Sequence, residues 1–291
     1  MIALTVALAV LVGVALGLLG GGGSILTVPL LAYVAGMDTK HAIATSLLVV
    51  GVTSAVGAVS HARAGRVQWR TGLFFGAAGM TGAYAGGLVA RFIPGPVLLM
   101  AFAGIMVAAA IAMLRGRRCA PDDDGYRPLR VGRIALYGVG VGLVSGLVGA
   151  GGGFLLVPAL VLLAGLPMPT AVGTSLVVIA MQSFAGLAGH LASVQIDWRL
   201  ATTVTAAAVA GGLVGGRLTA LVDATALRKV FGWFVLLMAS LILTQEAGPA
   251  VGGAVLTAVA VGALVYMTCT RTTHCPIGRL TGLRRAGATA N

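Results

Sequence analysis

The sequence predicts an all-α, polytopic membrane protein, on the evidence of its composition, its hydropathy and an internal duplication. Of the 291 residues, 58% are hydrophobic and 9% are charged, whereas soluble domains carry about 25% charged residues. The mean hydropathy is +1.03. So few charges cannot cover a water-facing surface, and long apolar stretches are typical of helices that cross ~30 Å of hydrocarbon with about 20 residues.

The apolar stretches define the predicted elements in chain order. Those long enough to span a bilayer lie at about 2–19, 41–60, 71–90, 96–114, 133–149, 170–190, 200–220, 226–244 and 249–269. Two shorter stretches, 24–36 and 153–166, each follow a run of glycines. Their length falls short of a full span, which predicts half-helices or re-entrant segments.

The two halves of the chain match in a register of 129 residues. Residues 17–70 and 146–199 share 21 identities in 54 positions without a gap, including a histidine and a Trp-Arg pair. Duplicated halves are common among secondary transporters. The predicted organisation is an N-terminal repeat at 1–114, a linker at 115–132, a C-terminal repeat at 133–244, and an additional span with a basic tail at 245–291.

Positively charged loops indicate the topology. The net charge of +12 comes from arginines and lysines between apolar stretches, at 61–70, 115–133, 217–229 and the tail. Such charges favour the cytoplasmic side, so no nucleic-acid partner is expected, and the linker and tail are predicted to be cytoplasmic. Five passages in each half, counting the short segment, would place all four loops there and invert the second half. If each break and its short segment form one passage, the halves are parallel; the charges favour inversion.

The glycine breaks predict an anion site. Glycines allow tight turns and close approach of a ligand, and a helix that starts after them presents unpaired N–H groups and a positive dipole end. Two breaks in related halves are expected to meet near mid-depth. The alternative is that the glycines serve close helix packing.

Polar side chains near the breaks are further candidates. Thr45-Ser46 and Thr174-Ser175 could donate to an anion, although such hydroxyls also bond back to the helix backbone. An amide such as Gln182, with Ser183 beside it, is costly in mid-membrane without a partner. His61 and His190 end their helices, where histidine can bind an anion, carry a proton or cap the helix.

Two copies of a G-x-G-G…V-P pattern, Gly20–Pro29 and Gly149–Pro158, are each followed by A-x-x-T-S-L and a histidine. These motifs resemble the TauE/SafE sulfite exporter family, also called the toluene-sulfonate uptake permease family, over about residues 1–245. The resemblance implies a bacterial inner-membrane, multi-pass permease for sulfite, sulfoacetate or other organosulfonates. The first break departs from the second at Gly21 and Ser24, where the second has Ala150 and Gly153, so the two half-sites should differ.

The sequence therefore predicts a permease rather than an enzyme, and an exporter driven by membrane potential. All seven acidic residues fall in loops or at segment ends, which leaves no mid-span carboxylate as a carrier or catalyst. No metal or cofactor is expected, since the three cysteines lack paired spacing. The predicted substrate-binding residues are Gly20, Gly21, Gly22, Gly23, Ser24, Thr45, Ser46, Gly149, Gly151, Gly152, Gly153, Thr174, Ser175, Gln182, His61 and His190.

Two rival functions remain at this point: a membrane-embedded enzyme acting on a lipid phosphate, and a non-transporting assembly protein. The expected partners are a small anionic substrate and the lipid bilayer. The oligomeric state is open, with a homodimer as one option.

Overall fold

The computed structural model describes residues 2–19, 22–114, 131–149, 168–218 and 224–246, together with single residues at 153, 156, 160, 166, 248 and 257. Eight long helices are described: α1 (Ile2–Leu19), α2 (Thr39–Arg63), α3 (Trp69–Ala90), α4 (Gly95–Leu114), α5 (Val131–Val148), α6 (Met168–His190), α7 (Trp198–Leu218) and α8 (Ala224–Glu246). No strand occurs in these ranges, which confirms the predicted all-α fold. The predicted span at 249–269 and most of the segment at 153–166 lie outside the described residues.

Three of the described helices have the length and apolar composition needed to cross a membrane: Thr39–Arg63, Trp69–Ala90 and Thr170–His190. Shorter apolar stretches lie within α1, α4, α5 and α8, at Val6–Gly17, Gly95–Ala108, Ala135–Val148 and Val235–Glu246, and in the segment after α1, at Ser24–Val34. Large apolar side chains such as Phe74, Phe92 and Leu136 remain exposed on the outside of the bundle. An apolar exterior is what a polytopic membrane protein needs, because lipid replaces water around it.

The short segment after α1 is an irregular helix. It passes from a 3₁₀ turn (Gly22–Leu26) through Thr27–Pro29 into a π-helical turn (Leu30–Val34). Pro29 has no N–H and its ring crowds the preceding turn, so a regular ladder of hydrogen bonds cannot run through this point. The wider turn that follows closes with the Ala35 N–H donating to the Leu30 carbonyl at 3.1 Å.

Helix α2 has clear signals at both ends. The Asp38 carboxylate accepts a hydrogen bond from the Lys40 N–H at 3.1 Å, as N-cap residues do. At the other end Gly65 adopts a left-handed conformation with φ +67°. The Arg66 N–H donates there to the His61 carbonyl at 2.9 Å, which closes the last turn.

Glycines allow two helix pairs, α1 with α7 and α3 with α5, to pack with their backbones in contact. In the first pair the close contacts are Gly13 with Ala208, Gly17 with Gly212, Val10 with Gly211 and Val14 with Gly215. In the second pair they are Gly142 with Gly79, Gly146 with Ala83, Val139 with Gly82 and Leu143 with Gly86. Each contact of one pair recurs in the other after a shift of 129 residues in both members. These glycines, which lie outside the two breaks, therefore serve close helix packing. The duplication of the two halves stays a prediction.

These contacts also give the helix directions. Residue numbers rise together in the pairs α1–α7 and α3–α5, so both pairs are parallel. Helices α2 and α6 are antiparallel, because Gly51 lies against Ser183 and Gly57 against Leu176. Since α3 and α7 return after short loops from α2 and α6, α1 and α2 point one way while α5 and α6 point the other. The described helices of the second half thus run opposite to those of the first.

The two ends of the bundle differ in charge. The end at which α2 stops and α6 starts, here called the basic end, carries Arg63, Arg66, Arg70 and Arg217 among the described side chains. The opposite end, here called the mixed end, carries both signs: Asp38, Lys40, Arg91, Asp197, Arg199 and Glu246. Helix α4 starts at the mixed end, where Gly95 meets Thr39, and therefore ends at the basic end, directly before the predicted linker.

The helices that precede the two glycine breaks, α1 and α5, run toward opposite ends of this bundle. Gly17, near the end of α1, faces Gly212 and Gly216 in the last turns of α7, at the basic end. Gly149, directly after α5, packs against Ile43 at the start of α2, at the mixed end. The expected meeting of the two breaks at mid-depth stays a prediction, because most residues of the breaks themselves are not described. Gly20, Gly21, Gly151 and Gly152 lie outside the described residues.

Candidate functional site

The centre of the bundle is the crossing of α2 and α6. Gly51 is the middle residue of α2, and a Cβ placed there would be 3.3 Å from the Ser183 Cβ and 3.2 Å from the Phe184 ring. Gly57, six residues further along α2, faces Leu176 of α6. Ser54 lies between these glycines in the sequence and on that face of the helix. The crossing therefore brings polar residues of both helices to mid-depth.

Three side chains at this crossing, Ser54, Gln182 and Ser183, form what we call the central cluster. Each is completely buried. Neither serine hydroxyl has a hydrogen-bond partner, nor does either polar atom of the Gln182 amide. A buried polar group left unpaired costs about 1–3 kcal/mol, and such groups in native proteins normally meet a partner, a water or a ligand. The cluster has the composition of a binding site for a polar ligand.

Gly79 of α3 makes room for the Gln182 side chain. A Cβ at Gly79 would overlap the Gln182 amide nitrogen and would lie 2.7 Å from its Cδ. The neighbouring Gly142 of α5 packs on the Gly79 backbone from the other side. The amide therefore lies in a narrow space between α6 and α3, with its donors and acceptor free of protein partners.

The walls around the central cluster carry no formal charge. The chain has no Asp, Glu, Lys or Arg at 41–62, 71–90 or 134–196. These ranges include all of α6, nearly all of α5, α3 after Arg70, and α2 between Lys40 and Arg63. What the cluster offers is two hydroxyls and one amide, which together supply up to four N–H or O–H donors. It can bind a polar or anionic group but has no acid or base with which to transform it.

The second break is built as a capped helix end. Gly149 has φ +77°, a conformation that favours glycine, and its N–H donates to the Ser145 carbonyl at 2.9 Å. The Ser46 hydroxyl donates to the Gly149 carbonyl at 2.9 Å. His190 is buried, and its Nε2–H donates to the Gly146 carbonyl at 2.8 Å. Helices α2 and α6 thus satisfy the last carbonyls of α5 at the mixed end.

The equivalent residues at the basic end make other contacts. The Ser175 hydroxyl bonds back to the Val172 carbonyl at 2.8 Å. Thr174 accepts from the Gln68 N–H at 3.0 Å. The His61 ring is partly buried and its Nδ1 has no partner. These residues at the two ends are therefore not equivalent, while the expected difference between the two breaks stays a prediction.

The remaining predicted site residues are placed as follows. Thr45 is buried near the start of α2 and its hydroxyl has no partner, while Ser24 and the single described residue Gly153 are buried in their segments. Gly22 and Gly23 belong to the 3₁₀ turn. The binding role of all these residues stays a prediction. Sequence reasoning had not selected Ser54; its only signal is identity with Ser183 in the 129-residue register.

No group of three or more His, Cys, Asp or Glu side chains that could hold a metal ion occurs among the described residues. The buried hydroxyls of Thr27 and Ser145 also lack partners, but they lie in the short segment and in α5, outside the α2–α6 crossing. Among the described unpartnered groups, those of the central cluster are the nearest to the middle of α2 and α6.

Comparison with known proteins gives a consistent result. Residues 5–242 match the family described as sulfite exporter TauE/SafE. The chain is 34% identical over 244 residues to a "probable membrane transporter protein" of Xylella fastidiosa strain Temecula1, covering 81% of this chain and 92% of the relative. It is 28% identical over 222 residues to the "probable membrane transporter protein YdhB" of Bacillus subtilis strain 168, covering 75% of this chain and 91% of that one. No solved structure matches the chain.

Proposed function

Because the chain belongs to the sulfite exporter TauE/SafE family of membrane transporters, we propose that it carries a small sulfur-containing anion outward across the membrane between α2 and α6. The membership agrees with the resemblance of the two glycine motifs. Sulfite, sulfoacetate and other organosulfonates are the proposed substrates. In a bacterium the membrane would be the inner membrane, with the basic end of the bundle in the cytoplasm.

The observation that carries this proposal is the central cluster. Ser54, Gln182 and Ser183 place donors without protein partners halfway through the bundle, where an anion that crosses loses its water. Neutral donors can replace part of that hydration. They hold an anion less strongly than an arginine would, which suits a site that must also release it.

The charge distribution supports the orientation and direction. Positive side chains favour the cytoplasm. The charged side chains described at the basic end are arginines, with no acidic side chain among them. With the inside negative, each negative charge that leaves gains about 2.3 kcal/mol per 100 mV. Outward movement of an anion thus needs no coupled ion, and α2, α3 and α6 offer no carboxylate for one in mid-span.

The experiment is efflux from proteoliposomes. Purified protein is reconstituted with sulfite or methanesulfonate inside, and a potassium gradient with an ionophore makes the inside negative. We expect efflux that increases with the size of the potential. Ser183→Ala and Gln182→Leu should slow it at least tenfold, and because each removes an unpaired buried group, folding should be unchanged or slightly improved.

Ser240→Ala is the matched control for Ser183→Ala. Ser240 is also a fully buried serine, but it lies in α8 and bonds back to the Leu237 carbonyl at 2.7 Å. Its variant should transport normally. Wild-type efflux in both Ser183→Ala and Gln182→Leu would remove the central cluster from the pathway, and a wild-type protein that moves none of the sulfur anions would refute the proposed function.

A further inference from the structure

The nearest formal charges on α2 and on the neighbouring α3 are far from the central cluster. Arg63 lies nine residues beyond Ser54 on α2, and Arg70 lies nine residues before Gly79 on α3. At 1.5 Å per residue each is about 14 Å away along the helix axis. The titratable groups nearest along α2 and α6 are His61 and His190, which are separated from the cluster by two helical turns each. The described parts of α2, α3 and α6 therefore bring no countercharge into contact with a ligand at the cluster.

The backbone groups of α2 and α6 do not supply the missing positive charge. The crossing lies in the middle of α2 and α6, where each backbone N–H is already bonded to the carbonyl one turn back. The positive ends of these helices lie at opposite ends of the bundle. What a ligand meets at the crossing is the four donors of Ser54, Gln182 and Ser183.

A site of this kind discriminates by charge. The cost of moving an ion from water into a low-dielectric interior grows with the square of its charge, and it is recovered only through close counterions or many hydrogen bonds. A dianion therefore pays about four times the penalty of a monoanion of the same size. Four neutral donors do not replace the hydration of a double charge.

We propose that the central cluster selects singly charged oxyanions and rejects dianions, so that sulfite crosses as hydrogen sulfite and sulfate is excluded. This inference rests on the proposed function and adds the charge state of the substrate to it. Size does not explain the same choice, because sulfate and methanesulfonate are similar tetrahedral anions that differ chiefly in charge.

The first test compares methanesulfonate with sulfate in proteoliposomes of wild-type protein at equal concentration and potential. We expect the methanesulfonate flux to exceed the sulfate flux at least a hundredfold. Sulfate flux within tenfold of methanesulfonate would overturn the inference while leaving transport of sulfur anions intact. Absence of flux for methanesulfonate and sulfite alike would instead refute the proposed function.

The second test varies pH for sulfite, which loses its second proton near neutrality. With pH equal on both sides, sulfite flux should fall as pH rises from 6 to 8, in proportion to the fraction present as hydrogen sulfite. Methanesulfonate stays singly charged over this range, so its flux reports any effect of His61 and His190. Protein-free liposomes give the passive leak. A sulfite flux that rises with pH while methanesulfonate stays constant would mean that the dianion is carried.

The equilibrium distribution gives an independent reading of the charge. For a passively carried monoanion the concentration ratio across the membrane changes tenfold for each ~59 mV, and for a dianion it changes tenfold for each ~30 mV. At pH 6 we expect sulfite to follow the monoanion ratio. The dianion ratio would overturn the inference.

Discussion

Replacement of Gly79 by alanine should impair transport while leaving the protein folded. Gly79 is outside the central cluster, but its missing side chain provides the space for Gln182. A Cβ there would lie 2.7 Å from the Gln182 Cδ, against 3.4 Å for an ordinary contact, so the amide would have to retreat by at least 0.7 Å (3.4 − 2.7). The obstructing atoms are the far end of a flexible side chain, which can move where a backbone could not.

The two free-energy terms for folding nearly cancel. An off-rotamer Gln182 costs about 0.5–1.5 kcal/mol, and alanine gains about 1 kcal/mol over glycine within a helix. For transport the terms do not cancel. A donor displaced by this distance loses its hydrogen bond to an anion, worth about 1.5–3 kcal/mol, which corresponds to a loss of roughly 10- to 100-fold in the affinity of the site.

The assay is sulfonate efflux from proteoliposomes, with thermal unfolding in detergent as the measure of folding. Gly104→Ala is the matched control, because Gly104 is a helical glycine whose Cβ would meet nothing within 4 Å; it should transport normally. Wild-type efflux in Gly79→Ala at unchanged stability would refute the placement of Gln182 in the pathway. A Gly79→Ala protein that fails to fold would show that the amide cannot move aside.

Three further outcomes follow from the contacts at the ends of the bundle. Gly146→Ala should destabilise the protein by about 1–3 kcal/mol, because its Cβ would lie 2.8 Å from the Ala83 backbone, whereas Gly140→Ala, which meets nothing within 4 Å, should be neutral or stabilising in thermal unfolding. His190→Phe should cost about 1–3 kcal/mol by leaving the Gly146 carbonyl unpaired, and His190→Gln, which keeps a donor, should recover part of that loss in the same measurement. Ser46→Ala should lower the unfolding temperature by removing the bond to the Gly149 carbonyl; an unchanged temperature would show that this bond contributes nothing.

The helices were predictable from the sequence because apolar length alone determines which segments can span a bilayer. The positions of the two breaks in depth were not predictable in this way. Glycine runs indicate that the chain turns, but the depth of the turn depends on how far α1 and α5 extend along their neighbours. The contacts of Gly17 with Gly212 and of Gly146 with Ala83 fix how α1 and α5 lie along those neighbours, and neither partner can be inferred from the run of glycines itself.

The hydroxyl groups show a second limit of sequence reasoning. Thr53 and Ser54 are adjacent, and both types of side chain commonly bond back to their own helix. Thr53 does so, donating to the Val49 carbonyl at 2.7 Å, whereas Ser54 at the crossing has no partner. The sequence does not distinguish Thr53, which bonds to its own helix, from Ser54, which is available to a ligand. Only the packing of α2 on α6 does so.

The central cluster also shows how differences between the halves combine. In the 129-residue register Ser54 corresponds to Ser183, but Thr53 corresponds to Gln182 and Ala208 corresponds to Gly79. Gln182 of the second half is a long amide where the first half has the short hydroxyl of Thr53. The residue that Gln182 meets on α3, Gly79, has no Cβ where its counterpart Ala208 has one. Read along the chain, these are two unrelated substitutions 103 residues apart (182 − 79). In the folded protein they are one change, which enlarges the α3–α6 side of the crossing and places most of its donors there, so an anion at mid-depth should bind off-centre, toward Gln182.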